Sequence, residues 1–321
     1  YLLSGKHARS QSAIECNPSN NSDFCYPPRL ATLDSGKYLD SLQQAKYDGY
    51  VIGICHRFVL RGGRYMTKTI VMIHGMWGGS WYWENYKRFF EAKGYQCITP
   101  TLRFHDVAPE ELPNPQLGTT SLLDYVEDLE KEIHQLDALP ILMGHSMGGL
   151  LAQMLGSRGL AKALVLLTPA SPRGINALTP SVIRSFWSGL TKWGFWRKPL
   201  RQTFNEAIYS MLQLLPVEEQ KKIFHRFVCE SGRAAFEIGF WFLDRKGASR
   251  VDEANVTCPI LVVAGGQDRI TPASVVRKVA AKYRAVSTYK EFPNHAHWVI
   301  GEPHWQEVAE HVSHWLERGQ A

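Results

Sequence analysis

Leu139-Pro140-Ile141-Leu142-Met143, then Gly144-His145-Ser146-Met147-Gly148-Gly149, then Leu150-Leu151-Ala152-Gln153-Met154-Leu155 is the stretch that decides how the chain reads. A short apolar run predicts a strand. A glycine-flanked serine follows, and then a run with helical character. This is G-x-S-x-G in the strand–turn–helix context that gives it meaning. A serine on so sharp a turn takes an unfavourable backbone conformation and brings neighbouring chain close. Gly144 and Gly148 remove the Cβ atoms that would clash there. The hydroxyl of Ser146 is then presented at the end of a sheet, beside a helix N-terminus that favours developing negative charge. Ser146 is the candidate nucleophile.

Outward from this turn, strand and helix alternate. Strand-like runs are expected at 69–73, 96–99, 141–143, 163–167, 260–264 and 287–292. Amphipathic helical stretches are expected at 82–92, 121–136, 148–157, 273–283 and 305–318. Short apolar strands alternating with helices predict an α/β fold: a mostly parallel central sheet with helices on both faces. One interval breaks the alternation. Residues 173–257 carry no convincing strand but are rich in aromatics, with Pro180, Pro199 and Pro216 between helical patches. A structureless loop of that size inside a compact domain would be unusual. The interval is therefore read as a helical cap inserted between core segments 66–172 and 258–321.

Residues 1–65 differ in texture, with three of the six cysteines and polar stretches such as Asn17-Pro18-Ser19-Asn20-Asn21-Ser22. They are read as an N-terminal extension outside the core fold, with Met66 resembling a natural start. The rival reading is that they add edge strands. Cys16 and Cys25 would pair in an oxidising compartment, while most of the remaining cysteines read as buried thiols. No CxxC pair occurs, which argues against a structural zinc site.

Over 321 residues, 45% are hydrophobic and 21% charged, with a formal net charge of +6. Scattered basic residues at this density read as a solvated surface and give no footprint for nucleic acid. No run of about 18 apolar residues is present to span a membrane, and no basic start followed by an apolar block marks a signal peptide. A cytoplasmic protein is the favoured reading. Secretion is the alternative, because the chain opens with Tyr1 rather than Met.

A serine hydroxyl is a weak nucleophile and needs a base held by an acid. The expected chain order is Ser, then Asp or Glu, then His. Gly265-Gly266-Gln267-Asp268 follows the strand at 260–264, so Asp268 falls at a strand's C-terminal end. Its competing role is to cap the helix that follows Thr271-Pro272. Asp244 and Asp252 are weaker candidates because they fall in the cap. His295 and His297 both lie after the last strand, and spacing alone does not separate them. His304 begins the terminal helix, while His311 and His314 lie along it.

Residues 66–321 resemble the α/β-hydrolase superfamily, especially its lipase and carboxylesterase-like members. The resemblance rests on His74-Gly75-Met76-Trp77-Gly78-Gly79, on Gly144–Gly149, and on Gly265–Asp268 with Thr271-Pro272. His295-Ala296-His297-Trp298 is similar to the family's Gly-His-Trp pattern, in which the His before Trp is the base. That favours His297, with Ala296 departing from the usual glycine. The resemblance also implies an oxyanion hole formed by the backbone N–H groups of Met76 and Met147, with Trp77 the less favoured donor. Such donors contribute about 3–4 kcal/mol each at the transition state. His74 and His145 are expected to support the turns through hydrogen bonds.

Together these readings predict a serine ester hydrolase that needs no metal or cofactor and takes a small-molecule, apolar ester. Trp77, Phe186, Trp187 and Trp193 are the candidate substrate-binding side chains. The aromatic stretch 185–198 is expected either to line an acyl pocket or to form a lid in contact with lipid, without a stable membrane anchor. A serine disfavours haloalkane dehalogenation, for which similar families use Asp. Hydroxynitrile lyase, thioesterase, amidase or perhydrolase chemistry on the same residues, or a ligand-binding receptor of the same fold, are the alternatives.

Overall fold

In the computed structural model, residues 68–320 are described. The expectations placed on the N-terminal extension, on a start at Met66 and on a Cys16–Cys25 pair therefore lie outside the described residues.

Six strands form one sheet: β1 (Thr69–Ile73), β2 (Gln96–Ile98), β3 (Ile141–His145), β4 (Ala163–Leu167), β5 (Ile260–Gly265) and β6 (Ser287–Phe292). Their spatial order is β2-β1-β3-β4-β5-β6, and every pairing is parallel. β3, β4 and β5 are buried along their whole length, which is why they read as unbroken apolar runs. β6, at the edge, alternates between partly buried and exposed residues instead.

Helices cover both faces. α1 (Glu84–Ala92) packs against the C-terminal helix Trp305–Trp315, and α2 (Leu122–Ile133) packs against α3 (Met147–Gly156). All ten residues of α3 are buried. Its one long polar side chain, Gln153, donates to Gly149 O at 3.0 Å and accepts from Tyr283 Oη at 2.9 Å. A buried amide satisfied in this way avoids the desolvation penalty it would otherwise carry.

The chain passes from β1 outward to β2 and returns to β3 on the other side of β1. This reversal opens a crevice beyond the strands' C-terminal ends, the usual ligand position in open α/β sheets. Between β4 and β5 the chain folds into short helical pieces. They include α4 (Pro180–Ser185), α5 (Val217–His225) and α6 (Gly232–Gly239). The sequence offered no strand here, yet Pro199–Leu200 pairs antiparallel with Glu230–Ser231. Two residues are too few to leave a periodic signal. A last helix, α7 (Ala273–Lys282), lies against β5 and β6, and the Trp305–Trp315 helix is α8.

Cys97 is buried as a free thiol, and Cys229 and Cys258 are free and half-buried. Among the described residues no helix is long and apolar enough to cross a membrane.

Candidate active site

Ser146 lies between β3 and α3 with φ 55° and ψ −120°, a conformation that costs about 1–3 kcal/mol for a non-glycine residue. The surrounding backbone holds it there. Ser146 N–H donates to Leu167 O at 3.0 Å, and Ser146 O accepts from Ala170 N at 2.9 Å. The two flanking glycines are needed for the close approach. A Cβ on Gly144 would stand 2.2 Å from Gly148 O, and one on Gly148 would stand 2.1 Å from Ile73 O.

The turn after β1 faces this serine. His74 is buried beneath it, donating through Nδ1 to Gly75 O at 2.8 Å and accepting at Nε2 from Leu102 N at 3.0 Å. Burial, helped by the nearby His105, drives its pKa down to about 3, so it stays neutral. Tyr82 Oη holds Met76 O at 2.8 Å. The N–H of Met76 donates to no backbone acceptor among the described residues. The N–H of Met147 belongs to a first helical turn, which has no intrahelical partner to offer. Met76, Ser146 and Met147 line the same cavity.

Asp268 and His297 come together behind the serine turn. Asp268 Oδ2 lies 2.8 Å from His297 Nδ1. Its Oδ1 accepts from the backbone N–H groups of Ile270 and Thr271, each at 2.8 Å. One carboxylate thus makes two sets of contacts: one oxygen closes the turn before α7, and the other faces the imidazole. An ionised carboxylate only accepts, so this contact is met when the His297 proton sits on Nδ1. His145 Nε2 donates to His297 O at 2.8 Å, and the two rings lie 4.9 Å apart. Burial, together with His297 and His74, keeps His145 neutral, so it would not repel a positive charge forming on His297. Ser146 Oγ makes no hydrogen bond with the described residues; catalytic contacts often tighten only when substrate binds.

His295 is directed elsewhere. Its Nδ1 lies 2.8 Å from Glu302 Oε1, and its ring packs edge-on to Phe292. Thr271 is the residue that sequence reasoning passed over. Its Oγ1 lies 2.7 Å from Asp268 Oδ2, 3.0 Å from Thr168 O and 3.3 Å from His297 Nδ1. The signal was the Thr-Pro after Asp268, used there only as part of a motif.

The cavity measures about 70 Å³ and is mostly apolar. Val182, Phe186, Leu190, Phe195 and Phe240 of the segment between β4 and β5 form its outer wall. Of the four aromatics expected at the substrate, Phe186 lines it. Trp77 is buried beside it, with its ring 5.3 Å from Phe186. Trp187 and Trp193 do not line it; they are 60% and 87% exposed. A second buried cluster also escaped sequence reasoning. His105 Nε2 meets Glu230 Oε2 at 3.1 Å, and Tyr125 Oη donates to Glu230 Oε1 at 2.8 Å. Burial alone would depress the His105 imidazole, but the Glu230 carboxylate raises it above its ordinary value. Among the described residues, no group of three or more His, Cys, Asp or Glu is placed to hold a metal ion.

The alpha/beta hydrolase family profile matches residues 70–311, and the chain belongs to that family. Among curated proteins it is similar to a monoacylglycerol lipase of Mycolicibacterium smegmatis, 26% identical over 205 residues, which cover 61% of this chain and 70% of the relative. Among solved structures it resembles a pyrethroid hydrolase from Sphingobium faniae (TM-score 0.60, 16% identity, 78% of this chain and 98% of that one). It also resembles a methylesterase from Arabidopsis (0.58, 11%, 78% and 99%). A third is the monoacylglycerol lipase of Paleococcus ferrophilus (0.56, 22%, 78% and 95%). At these identities the solved structures speak to the fold alone.

Proposed function

We propose that the chain hydrolyses carboxylic esters of apolar acids or alcohols, with Ser146 as nucleophile. The observation that carries this reading is Ser146 on a strained turn in an apolar cavity that Thr271 also lines, with Thr271 bonded to Asp268, whose carboxylate holds His297 at 2.8 Å. The similarity to a curated monoacylglycerol lipase favours an ester over the other substrates this chemistry accepts.

In this mechanism His297 Nε2 takes the proton of Ser146 as Oγ attacks the ester carbonyl carbon. The N–H groups of Met76 and Met147 receive the negative charge that gathers on the carbonyl oxygen. Asp268 stabilises the imidazolium through Nδ1–H. The tetrahedral intermediate collapses, His297 returns the proton to the leaving alkoxide, and an acyl-enzyme remains. Water, activated by the same His297, then releases the acid. The helical segment 173–257 acts as a cap whose inner wall selects the apolar group.

Ser146→Ala is expected to lower turnover of p-nitrophenyl esters by about 10⁶ and to abolish labelling by a fluorophosphonate. Undiminished hydrolysis by that variant would refute the assignment. Across a series of p-nitrophenyl esters, kcat/KM is expected to rise from acetate to longer saturated acyl chains. A strict preference for small polar acids would count against the proposed role of the cavity wall.

A further inference from the structure

The outer face of the 173–257 segment carries a surface that hydrolysis does not use. Residues 184–201 hold five cations (Arg184, Lys192, Arg197, Lys198 and Arg201) and no Asp or Glu. Trp193 stands out from this stretch, beside Gly194 at φ 73°. From Trp193 a row of aromatic contacts runs to Trp196 at 5.4 Å, Phe236 at 5.9 Å, Phe240 at 5.6 Å and Phe242 at 6.3 Å. The row surfaces again at its far end, where Phe242 and Leu243 are more than half exposed.

A groove along this row is lined by Trp196, Arg233, Phe236, Leu243, Arg245 and Lys246, together with Asp244. Asp244 is buried, and its carboxylate accepts from Lys246 N at 3.2 Å and Ala248 N at 2.6 Å. Glu237, on the same helix as Arg233, is buried; it accepts from Ser121 Oγ and pairs with Arg233 Nε at 3.6 Å, leaving Arg245 and Lys246 as the groove's cations without a carboxylate partner among the described residues. Arg245 and Lys246 are exposed, and Arg233 is half-buried. What the groove offers to solvent is therefore positive charge between apolar ends.

We propose that this face docks on an anionic phospholipid bilayer. Trp193, Phe242 and Leu243 enter the headgroup boundary, and Lys192, Arg245 and Lys246 meet lipid phosphates and carboxylates. Tryptophan is favoured at that boundary, and clustered Lys and Arg are drawn to anionic leaflets. The charge complementarity is to an anionic surface, and the exposed apolar groups match its acyl edge. The row also touches the cavity, since Phe240 belongs to both. Docking would set the cavity close to apolar solvent, a consequence that rests on the hydrolytic reading; the docking itself does not.

The test is cosedimentation of the full chain with phosphatidylcholine vesicles and with phosphatidylcholine–phosphatidylserine vesicles. Binding is expected to the phosphatidylserine vesicles only and to fall as salt rises. Arg245→Glu with Lys246→Glu is expected to reduce the bound fraction by about tenfold or more, and Phe242→Ser with Leu243→Ser to do the same. Both double variants should keep wild-type hydrolysis of a soluble short-chain ester and wild-type thermal unfolding. Ser146→Ala should bind vesicles as wild type does, so that failure of the hydrolytic reading and failure of docking are read separately. Absence from both vesicle pellets, equal binding to the neutral vesicles, or unchanged binding of the charge-reversed variant would overturn the proposal.

Discussion

Thr271 shows how one side chain ties the proposed acid, the proposed base and the sheet together. Its hydroxyl has a single proton and three neighbours: a carboxylate oxygen, a buried carbonyl and the Nδ1 of His297. Replacement by valine keeps the shape and removes the polar contact. A hydrogen bond to a charged group is worth about 1.5–3 kcal/mol, and each 1.36 kcal/mol at the transition state is about tenfold in rate. Thr271→Val is expected to lower kcat about tenfold or more on a p-nitrophenyl ester, with KM little changed and the kcat pH profile displaced. A rise in KM at constant kcat would assign Thr271 to substrate binding. Ser146 and Asp268 were legible because glycine spacing and strand ends constrain where they fall. Choosing His297 over His295 needed the resemblance, because both follow β6 within five residues, and only the third dimension turns His295 toward Glu302.

Elements were legible in proportion to the regularity of their burial. β4 is buried on both faces and reads as an apolar run, and α2 announces itself by the Ser121–Asp124 capping box. The aromatics of 185–198 gave no such guide. Trp187, Phe195 and Trp196 sit on four- and three-residue helical pieces, and Phe186 and Trp193 lie just outside them, so no periodicity separates inward Phe186 from outward Trp187. Contacts between distant elements were equally hidden, and Glu237 on α6 is an instance. It accepts from Ser121 Oγ and Leu122 N at the start of α2, each at 2.9 Å. Burial outweighs these contacts and lifts its pKa from 4.5 to about 7. An unfolded chain therefore releases this proton before the folded one does. The protonated carboxyl's contribution to stability is fully present below pH 4.5 and is lost as pH rises toward 7. Glu237→Gln is expected to remove that loss. In thermal unfolding, the variant's Tm relative to wild type should rise across that interval and level off above it; a difference independent of pH would refute the coupling.

At the scale of the whole molecule, the described sheet begins at Thr69 and the family match at residue 70. A chain starting at Met66 is therefore expected to fold and to keep the proposed esterase activity of the full chain, measured by circular dichroism and p-nitrophenyl ester hydrolysis. Failure to fold would show that residues 1–65 supply part of the core. The segment between β4 and β5 is latched to the rest by Glu230 with His105, by Glu237 with Ser121, and by Val228 N–H to Trp77 O at 2.9 Å. Yet the strands that bracket it are direct neighbours, with Leu164 paired to Ile260. For β4 and β5 to meet, the whole intervening chain must close as a loop. The entropy of such closure grows only logarithmically, by about 0.6 kcal/mol for each doubling of length. The sheet is thus nearly indifferent to how much chain is looped out at this position. Inserts of different length and wall chemistry can be carried there without disturbing the register that presents Ser146, so the proposed reacting groups and the cavity wall above them are separable parts of one molecule.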